Sequence, residues 1–221
     1  MAYNQTAAAD IDIIDHQLPY DSHNTYDVLF FDDTVYTTVT HDPDVVVDWI
    51  SEVESVHHRR LHHLVVGLDV EWRPSFNRNY SNPAATLQLC VGRRCLVYQL
   101  IHAPYIPKSL VDFLANPSYT FVGVGVYQDL EKIEEDYELE SNNNTVDLRE
   151  LAAERYGRPD LNSAGLRTLA GVVLERDVEK PRWVTMSRWD NRWLTPAQVQ
   201  YACVDAFVSF EIGRILDASS F

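Results

Sequence analysis

An α/β fold, with a central mixed sheet flanked by helices, is predicted for this chain of 221 residues by three observations. Residues 65–72, Val65-Val66-Gly67-Leu68-Asp69-Val70-Glu71-Trp72, form a run too apolar for a surface strand, so a buried central strand is expected. Two β-prone runs follow and are joined by Gly92-Arg93, a two-residue hairpin signal, so an antiparallel meander starts at the buried strand. Segments with apolar residues at helical spacing separate the strands, and the last, opened by Thr195-Pro196, runs to about Leu216. The length suits one sizeable domain with a single core.

Hydrophobic residues make up 46% and charged residues 23%, an ordinary balance for a globular protein in water, and no apolar run is long enough to span a bilayer. The N-terminus, Met1 to Asp10, is polar and Ala-rich and lacks the basic start and apolar centre of a secretory signal, and the chain to about residue 22 reads with it. Residues 1–22 are expected to be disordered, which leaves residues 23–221 as the single domain. Three cysteines, Cys90, Cys95 and Cys203, are an odd and sparse set that fits a reducing compartment, the cytoplasm or nucleus. No second Cys or His pair follows Cys90 and Cys95 at a zinc-site interval. The net charge of −15 argues against broad electrostatic binding to nucleic acid or anionic lipid. It does not argue against a site in which bound metals and a few local arginines face phosphates.

Taken in order, residues 26–31 and 34–39 are β-prone runs divided by Asp32-Asp33, which predicts an N-terminal hairpin. Asp42 and Pro43 read as N-cap and first residue of a helix that turns Val46, Trp49, Ile50 and Val53 inward. His57, His58, His62 and His63 follow; neighbouring histidines point apart on any regular element and no nearby acid completes a set, so a surface linker is expected. After the buried strand, a polar loop over residues 73–83 leads into strands at 86–91 and 94–100. Pro107 opens a short helix to Leu114. Residues 120–125 form a second buried strand, and Gly123 and Gly125 allow a tight turn into a helix carrying Asp129 in its first turn. A dinucleotide fingerprint would need a third glycine, which is missing. The acidic block from Asp129 to Glu140 reads mostly as a solvated helix face. Residues 145–151 pass from strand to helix, Ser163 is expected to cap the next helix, and residues 180–193 form an Arg/Trp-rich loop. Tyr98, Phe113, Phe121 and Phe210 are assigned to the core.

A strand has a side-chain period of two, so Asp69 and Glu71 share one face and Leu68 and Val70 the other. Two carboxylates there repel, and either solvent or a divalent metal with oxygen ligands relieves them. Asp129 either stabilises a helix N-terminus or faces this pair. Tyr201 and Asp205, four apart on the last helix, lie on one face one turn apart.

Gly67-Leu68-Asp69-Val70-Glu71-Trp72 with Leu87-Gln88-Leu89-Cys90, Gly123-Val124-Gly125-Val126-Tyr127-Gln128-Asp129, and Tyr201-Ala202-Cys203-Val204-Asp205-Ala206 together resemble the DEDD exonuclease superfamily in its tyrosine-bearing branch. The likeness covers about residues 45–217 and is nearest to the Werner-type exonuclease domains and their short plant relatives, in which a Ser-x-Trp like Ser187-Arg188-Trp189 recurs. It implies a ribonuclease H-like (DnaQ-like) fold and 3′-5′ exonuclease activity with two Mg²⁺ or Mn²⁺. Carried over by motif, Asp69, Glu71, Asp129 and Asp205 are the metal ligands, and Tyr201 orients the attacking water. The chemistry is coherent by itself, because two metals about 3.5–4 Å apart activate a water and stabilise the leaving oxygen. Leu68 and Trp72 are candidate contacts to the terminal base or ribose, Trp72 equally a core residue. Arg73, Arg78, Arg188 and Arg192 are candidate phosphate contacts or plain surface arginines. The expected partner is the 3′ end of DNA or RNA, with no membrane and with homo-oligomers or protein partners left open. The alternative function is a catalytically weak nucleic-acid- or protein-binding module on the same fold, in an RNA-processing assembly.

Overall fold

The computed structural model describes residues 10–77, 80–141 and 144–221. Eight strands, β1 (Ile11–Asp15), β2 (His23–Phe30), β3 (Asp33–Thr40), β4 (Leu64–Trp72), β5 (Ala84–Val91), β6 (Arg94–Tyr98), β7 (Tyr119–Gly123) and β8 (Thr145–Asp147), form one mixed sheet in the order β1-β2-β3-β6-β5-β4-β7-β8. The helices are α1 (Pro43–Val56), α2 (Lys108–Ala115), α3 (Val126–Tyr137), α4 (Leu148–Tyr156), α5 (Leu166–Val173), α6 (Arg182–Thr185) and α7 (Pro196–Ile215). The expected meander is present: β4 pairs antiparallel with β5, and β5 with β6. On its other side β4 pairs in parallel with β7, so the acid-bearing strand is central, as its apolar run requires.

The sheet separates two apolar clusters. Residues of α4, α5 and α7 pack on one face with Val28, Cys90 and Val97. Residues of α1, α2 and α3 pack on the other with Val66, Leu68, Val70 and Leu89. The alternation of β4 therefore sends Leu68 and Val70 toward the α1–α3 face and leaves Asp69 and Glu71 on the α7 face. Tyr98, Phe113, Phe121 and Phe210 are all buried. Two helix starts follow their sequence signals: the Asp42 side chain accepts from the Asp44 amide at 3.0 Å, and Thr195 and Gln198 form a capping box.

Three expectations are corrected. Residues 11–15, within the segment expected to be disordered, are an edge strand paired antiparallel with β2, and Ile11 and Ile13 pack on the core. The Ile-Asp-Ile-Ile-Asp pattern contains a period-two apolar face that the Ala-rich stretch before it concealed. The turn between β2 and β3 is Phe31-Asp32 rather than Asp32-Asp33, since Phe30 pairs with Asp33 and Phe31 takes φ 53. Ser163 does not cap α5: it ends a 3₁₀ turn over Pro159–Ser163, and α5 starts after Gly165 with no side-chain cap.

Candidate active site

The site forms where α7 crosses β4. At Gly67 a Cβ would sit 2.0 Å from the Ala206 carbonyl oxygen and 2.7 Å from the Phe210 amide nitrogen. Only a glycine lets the helix backbone rest on the strand here, and that close approach brings Asp205 over Asp69 two residues along. The β4–β5 register shifts between Glu71 and Trp72, just past the acids, and such irregularities re-aim side chains at the end of a strand.

Asp69, Glu71 and Asp205 each present a carboxylate oxygen, and the three oxygens lie within 4.8 Å of one another. Asp69 Oδ2 is buried with no hydrogen-bond partner, an uncompensated acceptor that a bound cation would satisfy. Burial, reinforced by the charges of Asp205, Glu71 and Asp129, holds the Asp69 carboxyl well above its ordinary range. Burial and the Asp205 charge push Glu71 up to about 8. Burial also raises Asp205, against the opposing pull of Lys180. Hard oxygen donors, crowded and desolvated, fit Mg²⁺ or Mn²⁺ rather than a thiophilic metal. Tyr201 is buried, one helical turn from Asp205 on the same face of α7. Burial and the charges of Asp205, Glu71 and Asp69 keep the Tyr201 hydroxyl protonated far above its ordinary range.

Asp129 arrives from the first turn of α3 but stands outside the 4.8 Å group. It is 9% exposed, and burial followed by the charge of Asp147 raises it to about 7. Its charge in turn raises Asp69 and Glu71, so the fourth acid acts on the site electrostatically. Gly125, in the left-handed region at φ 77, begins α3, and its amide donates to Asp147 Oδ2 at 3.0 Å. Arg149 forks onto the same carboxylate at 2.9 and 2.6 Å. Asp147 thus fixes the turn that aims Asp129. In the sequence Asp147 reads only as the entry to a helix, and its N-cap position on α4 is the signal that marks it.

Lys180 also enters the site. It lies between α5 and α6, and its Nζ reaches Asp205 Oδ2 at 2.5 Å and stands 5.3 Å from the Tyr201 ring centroid. No periodic pattern marks a single lysine on an irregular segment, so only the folded geometry reveals it. Ser187 and Trp189 support Tyr201 and its helix. Ser187 Oγ accepts from Gln198 in the first turn of α7 at 2.9 Å, and the fully buried Trp189 ring lies 6.0 Å from that of Tyr201. A cavity of about 470 Å³ opens beside Tyr201 and Asp205, with Trp183 and Ile11 of β1 in its wall.

The expected substrate contacts divide. Leu68 is 1% exposed inside the α1–α3 cluster, on the face away from the acids, so it offers no surface to a base or ribose. Trp72 is half-buried against the same cluster, with Lys132 Nζ 5.2 Å from its ring centroid. Arg73 and Arg188 are exposed and meet on Asp190, at 3.4 and 3.0 Å. Arg192 bonds to His41 at 3.2 Å, and Arg78 lies outside the described residues.

The fold is ribonuclease H-like. A crystal structure of Escherichia coli RNase D, an exoribonuclease involved in structured RNA processing, matches with TM-score 0.61 over 77% of this chain and 43% of that one, at 20% identity, a likeness of fold alone. A family model described as 3′-5′ exonuclease matches residues 37–219, and the chain belongs to that family. A 3′-5′ exonuclease of Arabidopsis thaliana is 33% identical over 153 residues, covering 68% of this chain and 52% of that protein. The mouse bifunctional 3′-5′ exonuclease/ATP-dependent helicase WRN is 30% identical over 149 residues, 67% of this chain and 10% of that protein. The chain thus spans about half the length of the Arabidopsis relative and far less of the mouse protein. Among the described residues no helix is long and apolar enough to cross a membrane.

Proposed function

We propose that residues 10–221 act as one catalytic unit, a divalent-metal-dependent 3′-5′ exonuclease that hydrolyses phosphodiester bonds from the 3′ end of DNA or RNA. Asp69, Glu71 and Asp205 would hold two Mg²⁺ or Mn²⁺ ions, with Asp129 completing the ligand set. The ions would supply a nucleophilic water at neutral pH and charge stabilisation for the leaving oxygen. Tyr201, kept protonated by its surroundings, offers a hydroxyl to position that water. Trp189 and the buried flank of α7 limit the movement of Tyr201. Arg73 and Arg188, paired on Asp190 at the surface, would meet the substrate backbone. The single observation that carries the reading is the convergence of three carboxylates around a buried, unpartnered Asp69 oxygen.

Release of mononucleotides from a 3′-labelled oligonucleotide, supplied as matched DNA and RNA strands with Mg²⁺ or Mn²⁺, tests this. The wild-type chain is expected to release label, and the Asp69→Ala, Glu71→Ala double variant none. Silence from both on every strand would end the enzyme reading and leave a binding module on the same fold.

A further inference from the structure

Lys180 brings a full positive charge into the place where the acids need a cation. Its side chain is 31% exposed, while that of Asp205 is 3% exposed. The neighbouring Val178 is buried at 1% and anchors the irregular segment, so Lys180 reaches inward from a fixed point on a four-carbon stem. Its charge acts on all four acids, favouring the ionised forms of Asp69, Glu71, Asp129 and Asp205. The oxygen it holds, Asp205 Oδ2, belongs to one of the three carboxylates that converge. A dication bound through that carboxylate would have its ligand oxygens about 2 Å away. An ammonium bonded to the same group would then stand close to a like charge of twice its size.

We propose that Lys180 is a displaceable counter-ion of the metal site: it neutralises the converging carboxylates when no dication is bound, competes with the dication for Asp205, and so sets the metal affinity. This rests on the reading of Asp69, Glu71 and Asp205 as metal ligands. Without a cation the three carboxylates would repel one another or take up protons, and the site would splay or neutralise. With Lys180 bonded to Asp205 part of the carboxylate repulsion is balanced, and the dication must exchange with the lysine rather than enter a vacant cluster. Because the stem is flexible and partly in solvent, the ammonium can swing outward as the metal enters. An ordinary buried ion pair gives the opposite expectation: removing the lysine would damage the site and weaken metal binding.

Mn²⁺ titration by calorimetry at fixed neutral pH, with thermal midpoints in EDTA, separates these cases for wild type, Lys180→Met and Lys180→Arg. Lys180→Met is expected to melt lower than wild type in EDTA yet bind Mn²⁺ about tenfold more tightly, since a competing like charge is gone. Lys180→Arg, which keeps the charge, is expected to return both quantities toward wild type. If Lys180→Met does not fold in EDTA, Lys180→Gln is measured in its place, with the same expectation. Wild-type or weaker Mn²⁺ affinity in a folded Met or Gln variant overturns the counter-ion role while leaving the metal site standing. Absence of Mn²⁺ binding by the wild-type chain overturns the metal site and this role with it.

Discussion

Glu71 rises from an ordinary 4.5 to about 8 and Asp129 from 3.8 to about 7, so between those limits the folded chain holds protons that the unfolded chain releases. Stability from this source is fully present below the unfolded values and is lost as pH rises through the folded ones. In EDTA the thermal midpoint should therefore fall between about pH 5 and pH 8, and saturating Mn²⁺ should remove most of that fall. A midpoint in EDTA that climbs over this range would contradict the assignment. Asp69→Asn should show the same effect directly. An amide cannot ionise, so in EDTA at neutral pH the variant should melt above wild type and lose the metal-induced rise; scanning calorimetry with and without Mn²⁺ reads both. At this scale the fixed periods of strand and helix made Asp69 with Glu71 and Tyr201 with Asp205 legible, because spacing alone sets which side chains share a face. Lys180 and Asp147 were not legible as site residues, since each acts through a contact between segments far apart in sequence: Lys180 across to α7, Asp147 across to Gly125.

Among elements, the crossing of α7 on β4 determines whether the acids meet. Gly67→Ala would drive a methyl into the Ala206 carbonyl, and the crossing must open to admit it. Overpacking of this kind costs about 1–3 kcal/mol or more. The variant is expected to lower the denaturation midpoint and to weaken Mn²⁺ binding together, because the same displacement moves Asp205 away from Asp69. Loss of stability with unchanged metal affinity would show that the close approach does not set the site. Helix starts with a side-chain cap were readable from residue type, as at Asp42 and Thr195. The start of α5 was not, since the cap position is Gly165 and the residue that looked like a cap closes a 3₁₀ turn instead. β1 was missed because a five-residue edge strand gains its stability from β2, a partner its own composition does not announce.

At the scale of the whole molecule, the meander from β4 to β6 was legible because its connections are local, whereas the parallel joining of β3 to β6 was not, since no turn signal encodes a pairing between distant segments. That joining extends the sheet to β1 and places Ile11 in the wall of the cavity beside Tyr201, so the N-terminal strand borders the site. A chain carrying −15 gains little from general attraction to a polyanion, so under the proposed function phosphate recognition would fall to bound dications and to Arg73 and Arg188, which meet on Asp190. The most direct test is anomalous diffraction at the manganese edge from crystals soaked in Mn²⁺ with a nucleoside 5′-monophosphate. The account predicts manganese peaks at coordination distance from carboxylate oxygens of Asp69, Glu71 and Asp205, with the Lys180 ammonium moved off Asp205. Crystals with the nucleotide in place, no manganese at these carboxylates and Lys180 still bonded to Asp205 would contradict it.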